Sequence, residues 1–183
     1  MIVPLNPRRP LIDTKPIAAA FASVAEMFEE DPGRGRNTAV SRARIEDGLT
    51  CHVEEGRWSL VADMSEKAGG ARKGPTPGVL GRAALGSCIA IGFVMEASRA
   101  GVPISSVEVE VQTDFDDGAL FGVSDAPPGY LEVRYEVSVC SSASEEDLQR
   151  VATAADARSP YLDVFGRAQR TRGSLRVVRP DAP

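Results

Sequence analysis

Residues 74–103 read GPTPGVLGRAALGSCIAIGFVMEASRAGVP, and the fold follows from this stretch. The run from 80 to 95 is apolar almost all round, and a helix with no wet face has to be covered on every side. Thr76 is placed as an N-cap, and Pro77 suits the first helical position. Gly101, with Pro103 just beyond, marks the stop. Leu80, Ala84, Cys88, Ile91 and Met95 share one face, with Leu85, Ile89, Gly92 and Phe93 beside it. Half of such a cylinder left wet is a large apolar patch, so a two-fold partner supplying the same helix is expected. Cys88 in mid-run has two readings. It is a small core residue where Gly86, Ser87 and Gly92 allow close approach, or a nucleophile held in a pocket.

On the N-terminal side, residues 1–37 read as an extension to a domain spanning 38–183. Pro4, Pro7, Pro10 and Pro16 interrupt it, and 17–28 is a short helix stopped by Asp31-Pro32-Gly33. Its Ala, Phe and Met content implies docking, on its own domain or on a partner. From Thr38 the pattern turns to strands: 39–46, a two-residue turn at Asp47-Gly48, 49–54, a turn at Glu55-Gly56, then 58–63. Leu49, Cys51 and Val53 share a parity, which reads Cys51 as a core cysteine.

Beyond the helix, Val107, Val109 and Val111 alternate with Glu108, Glu110 and Gln112, a half-buried strand over 105–115. Leu131, Val133, Tyr135, Val137 and Val139 form the inner face of a second strand over 130–139, with Cys140 on the outer parity. Ser144 caps a helix with the stripe Leu148, Val151, Ala152 and Ala155; Ser159-Pro160 opens a shorter helix, and 175–178 is a final strand. Strands in runs with segregated helices give an α+β fold.

The chain has 183 residues and a net charge of −5, which leaves no basic field for nucleic acid or an anionic membrane. Arginines gather at the ends (Arg8, Arg9, Arg34, Arg36; Arg167, Arg170, Arg172, Arg176, Arg179) and read as solvated tails. The apolar run carries Arg82 and Glu96 and is rich in small residues; it is read as too short for a bilayer span. Met1-Ile2-Val3-Pro4 opens no signal pattern. Three widely spaced cysteines make no disulfide framework, and one histidine (His52) with no C-x-x-C pair supplies no metal site. No Walker loop or dinucleotide fingerprint is present, so neither a cofactor nor a metal is expected. These features together indicate a cytoplasmic protein that binds neither nucleic acid nor membrane.

Gly69-Gly70, Gly74-Pro75-Thr76-Pro77, Leu85-Gly86-Ser87-Cys88 and Gly101-Val102-Pro103-Ile104 occur in order, followed by the Val107-to-Val111 strand and the 144–160 helix. This set resembles the osmotically inducible protein C (OsmC) and organic hydroperoxide resistance family over 38–178. The resemblance implies an intertwined α+β homodimer, with antiparallel sheets around a long central helix buried in the dimer. It also implies a thiol peroxidase acting on organic hydroperoxides in oxidative stress defence, with the peroxidatic cysteine at Cys88. The family's resolving cysteine maps onto Ser159, 71 residues further on, so an external thiol would resolve the oxidised sulfur. The glutamate that follows the helix-opening proline in such reductases is Gly78 here. The arginine beside the thiol comes from the first strand region, where Arg42 and Arg44 are the candidates.

A peroxidatic thiol must ionise, which calls for a cationic neighbour. Cys88 lies about three turns into its helix, out of reach of the helix macrodipole. Its helical neighbours Ala84, Leu85, Ile91 and Gly92 are uncharged, so the cation must come from another element or subunit. Cys140 is a second thiol that could resolve a sulfenic acid, although it is far from the family's position. The competing reading keeps the fold without catalysis: an interface pocket for a small apolar or acyl ligand, with Cys88 in its wall.

Overall fold

The computed structural model describes residues 5–6 and 9–179; Pro4, Pro7 and Arg8 lie outside these described residues. The elements run α1 (Lys15–Glu30), β1 (Arg42–Asp47), β2 (Thr50–Glu55), β3 (Trp58–Ala62), α2 (Pro77–Ala100), β4 (Ser106–Phe115), a short α3 (Asp117–Leu120), β5 (Tyr130–Cys140), α4 (Glu145–Asp156) and α5 (Pro160–Gly166). Strands β1, β2 and β3 form an antiparallel meander in that order, and β4 and β5 form a separate antiparallel pair. This is the expected α+β arrangement, with helices segregated from antiparallel sheets.

Both hairpin turns slide by one residue from their expected places. Asp47 pairs with Thr50, so the turn residues are Gly48 and Leu49, and Glu55 pairs with Trp58 around Gly56. Gly48 has φ +54° and Gly56 φ +55°, while the residues after them stay at negative φ. Glycine at the first turn position alone is the type II′ solution; the expected Asp-Gly turn needs positive φ at both. The slip leaves Glu46 unpaired as a bulge between Ile45 and Asp47.

Next to β3, the carboxylate of Asp63 organises the loop that leads to α2. Its Oδ1 accepts the Met64 N–H at 2.7 Å, and its Oδ2 accepts from Thr50 Oγ1 (3.2 Å), Ala71 N (3.2 Å) and Lys73 N (3.1 Å). Donation from the Lys73 N–H does most to hold this carboxyl below its usual range, against the opposing effect of burial. The loop lies so close to β3 that a Cβ at Gly74 would collide with the Val61 carbonyl. The glycine is therefore required by contact.

Helix α2 begins at the Thr76 cap, which accepts the Val79 N–H at 3.4 Å, and ends at Gly101. Its fully buried stripe is Leu85, Ile89, Phe93 and Ala97, with Glu96 buried beside it. Phe93 and Ala97 join Val102, Ile104 and Val151 in the core, closed over by Val107, Val137, Val139, Leu148 and Ala152 from β4, β5 and α4. The opposite stripe, Val79, Ala83, Ser87, Ile91 and Met95, is open, and Ile91 is 61% exposed. One chain thus covers one side of this helix. At 24 residues α2 is long and apolar enough to cross a bilayer by length and composition, which overturns the length argument from the sequence. It packs against β4, α4 and α5 on the side that carries the buried stripe, and against α1.

The N-terminal extension docks on its own chain. Helix α1 packs against α2. Ahead of it the Ile12 N–H donates to the Ile104 carbonyl at 2.8 Å, with the Ile12 side chain against the core. Leu131 does not face inward as expected. A bulge pairs Phe115 with Tyr130 and Asp114 with Glu132, which skips Leu131 and turns it out to 54% exposure. The expected strand at 175–178 is also absent: residues 168–179 carry no regular structure and join neither sheet.

Substituting Gly74→Ala is expected to destabilise the fold by about 3 kcal/mol or more, since backbone must move to admit the methyl group. Thermal unfolding followed by circular dichroism measures this. A depressed carboxyl stabilises the fold above its unfolded pKa and loses that contribution as pH falls through the folded value. The gap in Tm between wild type and Asp63→Asn is therefore expected to shrink below about pH 4.

Candidate functional site

The middle of α2 and the N-cap of α5 meet side chain to side chain. Cys88 Sγ lies 3.5 Å from Ser159 Oγ, and either atom can be the donor. Ser159 is buried, while Cys88 is half-buried and within reach of solvent. The serine has a structural duty as well, since its Oγ accepts the Leu162 N–H at 3.3 Å and Pro160 follows at the first helical position. The small residue at Gly86 brings β4 close, where a Cβ would stand 3.3 Å from the Val111 side chain.

The turn joining α4 to α5 is tied on two sides. Tyr135 on β5 donates its hydroxyl to Asp156 Oδ2 at 2.7 Å. Burial, then the neighbouring carboxylate, pushes the phenol up to about 12. Arg158 approaches Glu96 Oε1 at 3.5 Å, and Arg99 forks onto Glu96 Oε2 at 2.9 and 2.7 Å. Glu96 is 3% exposed, so this carboxylate is an interior group that needs both cations. Sequence reasoning missed this cluster. The available signal was Glu96 with Arg99 three residues on, at the end of an apolar helix; nothing local points to Arg158.

The other singled-out residues lie apart from the thiol. Arg42 and Arg44 are on β1, exposed, with Arg44 3.7 Å from Glu46. Their sheet makes few contacts with the rest of the chain. Among the described residues no basic side chain hydrogen-bonds Cys88. Cys51 is half-buried on β2, and Cys140 points its thiol toward the Asn6 carbonyl at 4.0 Å, at the far end of β5; all three cysteines are free. At Gly78, where a glutamate would be expected from the resemblance, a Cβ would stand 3.6 Å from Arg82 Nη1 and 3.9 Å from the Tyr130 hydroxyl. The Tyr130 hydroxyl instead donates to the Gly78 carbonyl at 3.0 Å, and its ring stacks on Phe165. Arg82 reaches Thr113 Oγ1 at 3.4 Å. Among the described residues no group of three or more His, Cys, Asp or Glu could hold a metal ion.

Two apolar grooves flank the open stripe of α2 further along. One, of about 690 Å³, lies between Met95 and the Ile17, Phe21, Val24 and Phe28 face of α1. The other, of about 550 Å³, is bordered by Ile12, Ile91, Val94 and Val107.

A family model described as OsmC-like protein matches residues 69–172. Among solved structures, an OsmC-like protein from Mycoplasma pneumoniae superposes with a TM-score of 0.62 at 14% identity, covering 71% of this chain and 88% of its own. An organic hydroperoxide resistance protein OsmC from Legionella pneumophila gives 0.52 at 16% identity, over 70% of this chain and 89% of its own. An organic hydroperoxide resistance protein from Elizabethkingia anophelis, with thiocyanate bound, gives 0.52 at 17% identity, over 71% and 89%. No curated protein matches the chain. These likenesses carry the fold, and the family model spans the loop around Gly69, helix α2 with Cys88, the β4–β5 pair and the Ser159 turn: the chain belongs to the OsmC family.

Proposed function

We propose that this protein reduces organic hydroperoxides through Cys88, as a one-cysteine thiol peroxidase working as a cytoplasmic homodimer. The observation that carries the reading is the half-buried, free Cys88 thiol at the centre of α2, hydrogen-bonded to a hydroxyl at the position of the family's second cysteine. Two solved neighbours are named as organic hydroperoxide resistance proteins, in keeping with it.

In this scheme the Cys88 thiolate attacks the distal peroxide oxygen. The S–O bond forms as the O–O bond breaks, the alkoxide leaves and takes a proton as the alcohol, and the sulfur becomes a sulfenic acid. An external thiol then attacks the oxidised sulfur, water leaves, and a mixed disulfide forms. A second thiol releases Cys88 and carries away the disulfide. Arg42 or Arg44, on the first sheet of a second copy, supplies the cation that ionises Cys88.

The support for a second copy is exposed apolar surface. Val79, Ile91 and Met95 on α2 lie open, as do Ile45, Trp58 and Leu60 on the first sheet. Surface of this kind is seldom left wet in a monomer.

A second reading is favoured by the apolar grooves beside Met95: binding of a small apolar or acyl ligand at the interface, without catalysis. Cumene hydroperoxide with dithiothreitol decides between them. Wild type is expected to consume peroxide about a hundredfold faster, or more, than Cys88→Ala, with a dimedone adduct on the Cys88 peptide. Equal rates would sink the enzyme.

The dimer is tested separately. A Cβ at Gly92 meets nothing in the single chain, so a monomer tolerates Gly92→Glu. A dimer that covers this seam buries an unpaired carboxylate and is expected to dissociate or precipitate. Sedimentation velocity at micromolar concentration reads the outcome, and a well-folded wild-type monomer removes the dimer.

A further inference from the structure

Ser159 stands where its hydroxyl meets the sulfur, and an ion pair between the exposed Arg158 and the buried Glu96 holds the turn that carries it. We propose that Ser159 is a catalytic hydrogen-bond donor to the Cys88 thiolate, and that Glu96, acting through Arg158, is the positioning residue that keeps it in place. This inference rests on the reading of Cys88 as a nucleophile and deepens it.

The hydrogen-bonding inventory of Ser159 fixes the direction. Its Oγ accepts the Leu162 N–H, so the cap uses a lone pair and leaves the hydroxyl proton free. Against a neutral thiol, at 3.5 Å, either partner can donate. Against a thiolate, only the hydroxyl can. The bond therefore favours the charged form, as any hydrogen bond offered to an anion does. The hydroxyl also cannot become a disulfide partner, so oxidised Cys88 keeps its sulfenic oxygen until an outside thiol arrives.

The tether comes from the helix that carries the thiol. Glu96 lies two turns beyond Cys88 on α2, and its Oε1 faces Arg158, the residue immediately before Ser159. Arg158 Nη1 also donates to the Ala154 carbonyl at 3.2 Å, which ties the guanidinium to the end of α4. Arg99 takes the other oxygen of Glu96, and Asp156 on the same turn is engaged by Tyr135. Sulfur and hydroxyl are thus both referenced to one rigid helix.

The test follows alkylation of Cys88 by iodoacetamide across pH, read by mass spectrometry on the Cys88 peptide, alongside hydroperoxide turnover. Ser159→Ala is expected to move the alkylation profile to higher pH and to slow both reactions about tenfold at neutral pH. Ser159→Thr, which keeps the hydroxyl and the cap, restores both. Arg158→Gln and Glu96→Gln move the profile in the same direction by less. Adding either to Ser159→Ala produces no further shift, since the tether acts only through the hydroxyl. Arg158 is exposed, so its variant remains informative should Glu96→Gln fail to fold. A Ser159→Ala profile that overlays wild type overturns the donor role. Tether variants that add to Ser159→Ala overturn the positioning role. A shifted profile in a protein that consumes no hydroperoxide upholds the hydrogen bond and defeats the peroxidase reading, so the two fail separately.

Discussion

Helix α2 buries Leu85, Ile89, Phe93 and Ala97 against β4, β5, α4 and α5, and the rest of the chain takes its position from that stripe. A cylinder of 24 residues without a polar face imposes two demands at once. Elements of the same chain must line one side closely, which is why Gly86 stands against Val111 and why small residues recur along the helix. The other side must find cover elsewhere or stay wet at a cost of roughly 25 cal/mol for each Å² of apolar surface. The loop that delivers the chain to this helix is fixed as firmly as the helix itself. Asp63 gathers donors from Thr50, Met64, Ala71 and Lys73, so the first sheet is joined to α2 by a rigid elbow.

Much of this was legible in the sequence because the signals were local. Thr76, Pro77 and Gly101 bound the central helix where capping chemistry puts them, and Ser144 and Ser159 cap α4 and α5 as read. What failed depended on partners that a linear pattern does not contain. The first hairpin turn slid by one residue because the cross-strand register, with its bulge at Glu46, outweighed the local preference of Asp-Gly. Leu131 kept the right parity for an inner face until the bulge opposite Phe115 reset it. Residues 175–178 are largely apolar, but a strand exists only as part of a ladder and this segment joins neither sheet.

Cys88 and Ser159 were both singled out from the sequence, which contains no sign of a contact between them. Their approach at 3.5 Å is a product of α5 lying across α2, a tertiary fact. The buried Glu96 with Arg99 and Arg158 was written in the sequence only as an apparent blemish at the end of an apolar run. Arg42 and Arg44 illustrate the opposite case: residue type suited to the chemistry, on a sheet that a single chain leaves apart from the thiol.

The separateness of the two sheets bears on how the chain acquires its structure. β1, β2 and β3 are sequence neighbours joined by two-residue turns, and β4 pairs with the strand that follows it. The meander closes two tight turns and the β4–β5 ladder closes over residues 116–129, and closure entropy grows only slowly with loop length, so the entropy lost before the first contacts form is modest. The search left to the chain is the docking of pieces already formed: a meander, a hairpin and a capped helix brought together through the elbow at Asp63. Slow steps are then expected in assembly rather than in secondary structure, and the apolar side of α2 is the surface at risk of misassociation while that assembly proceeds.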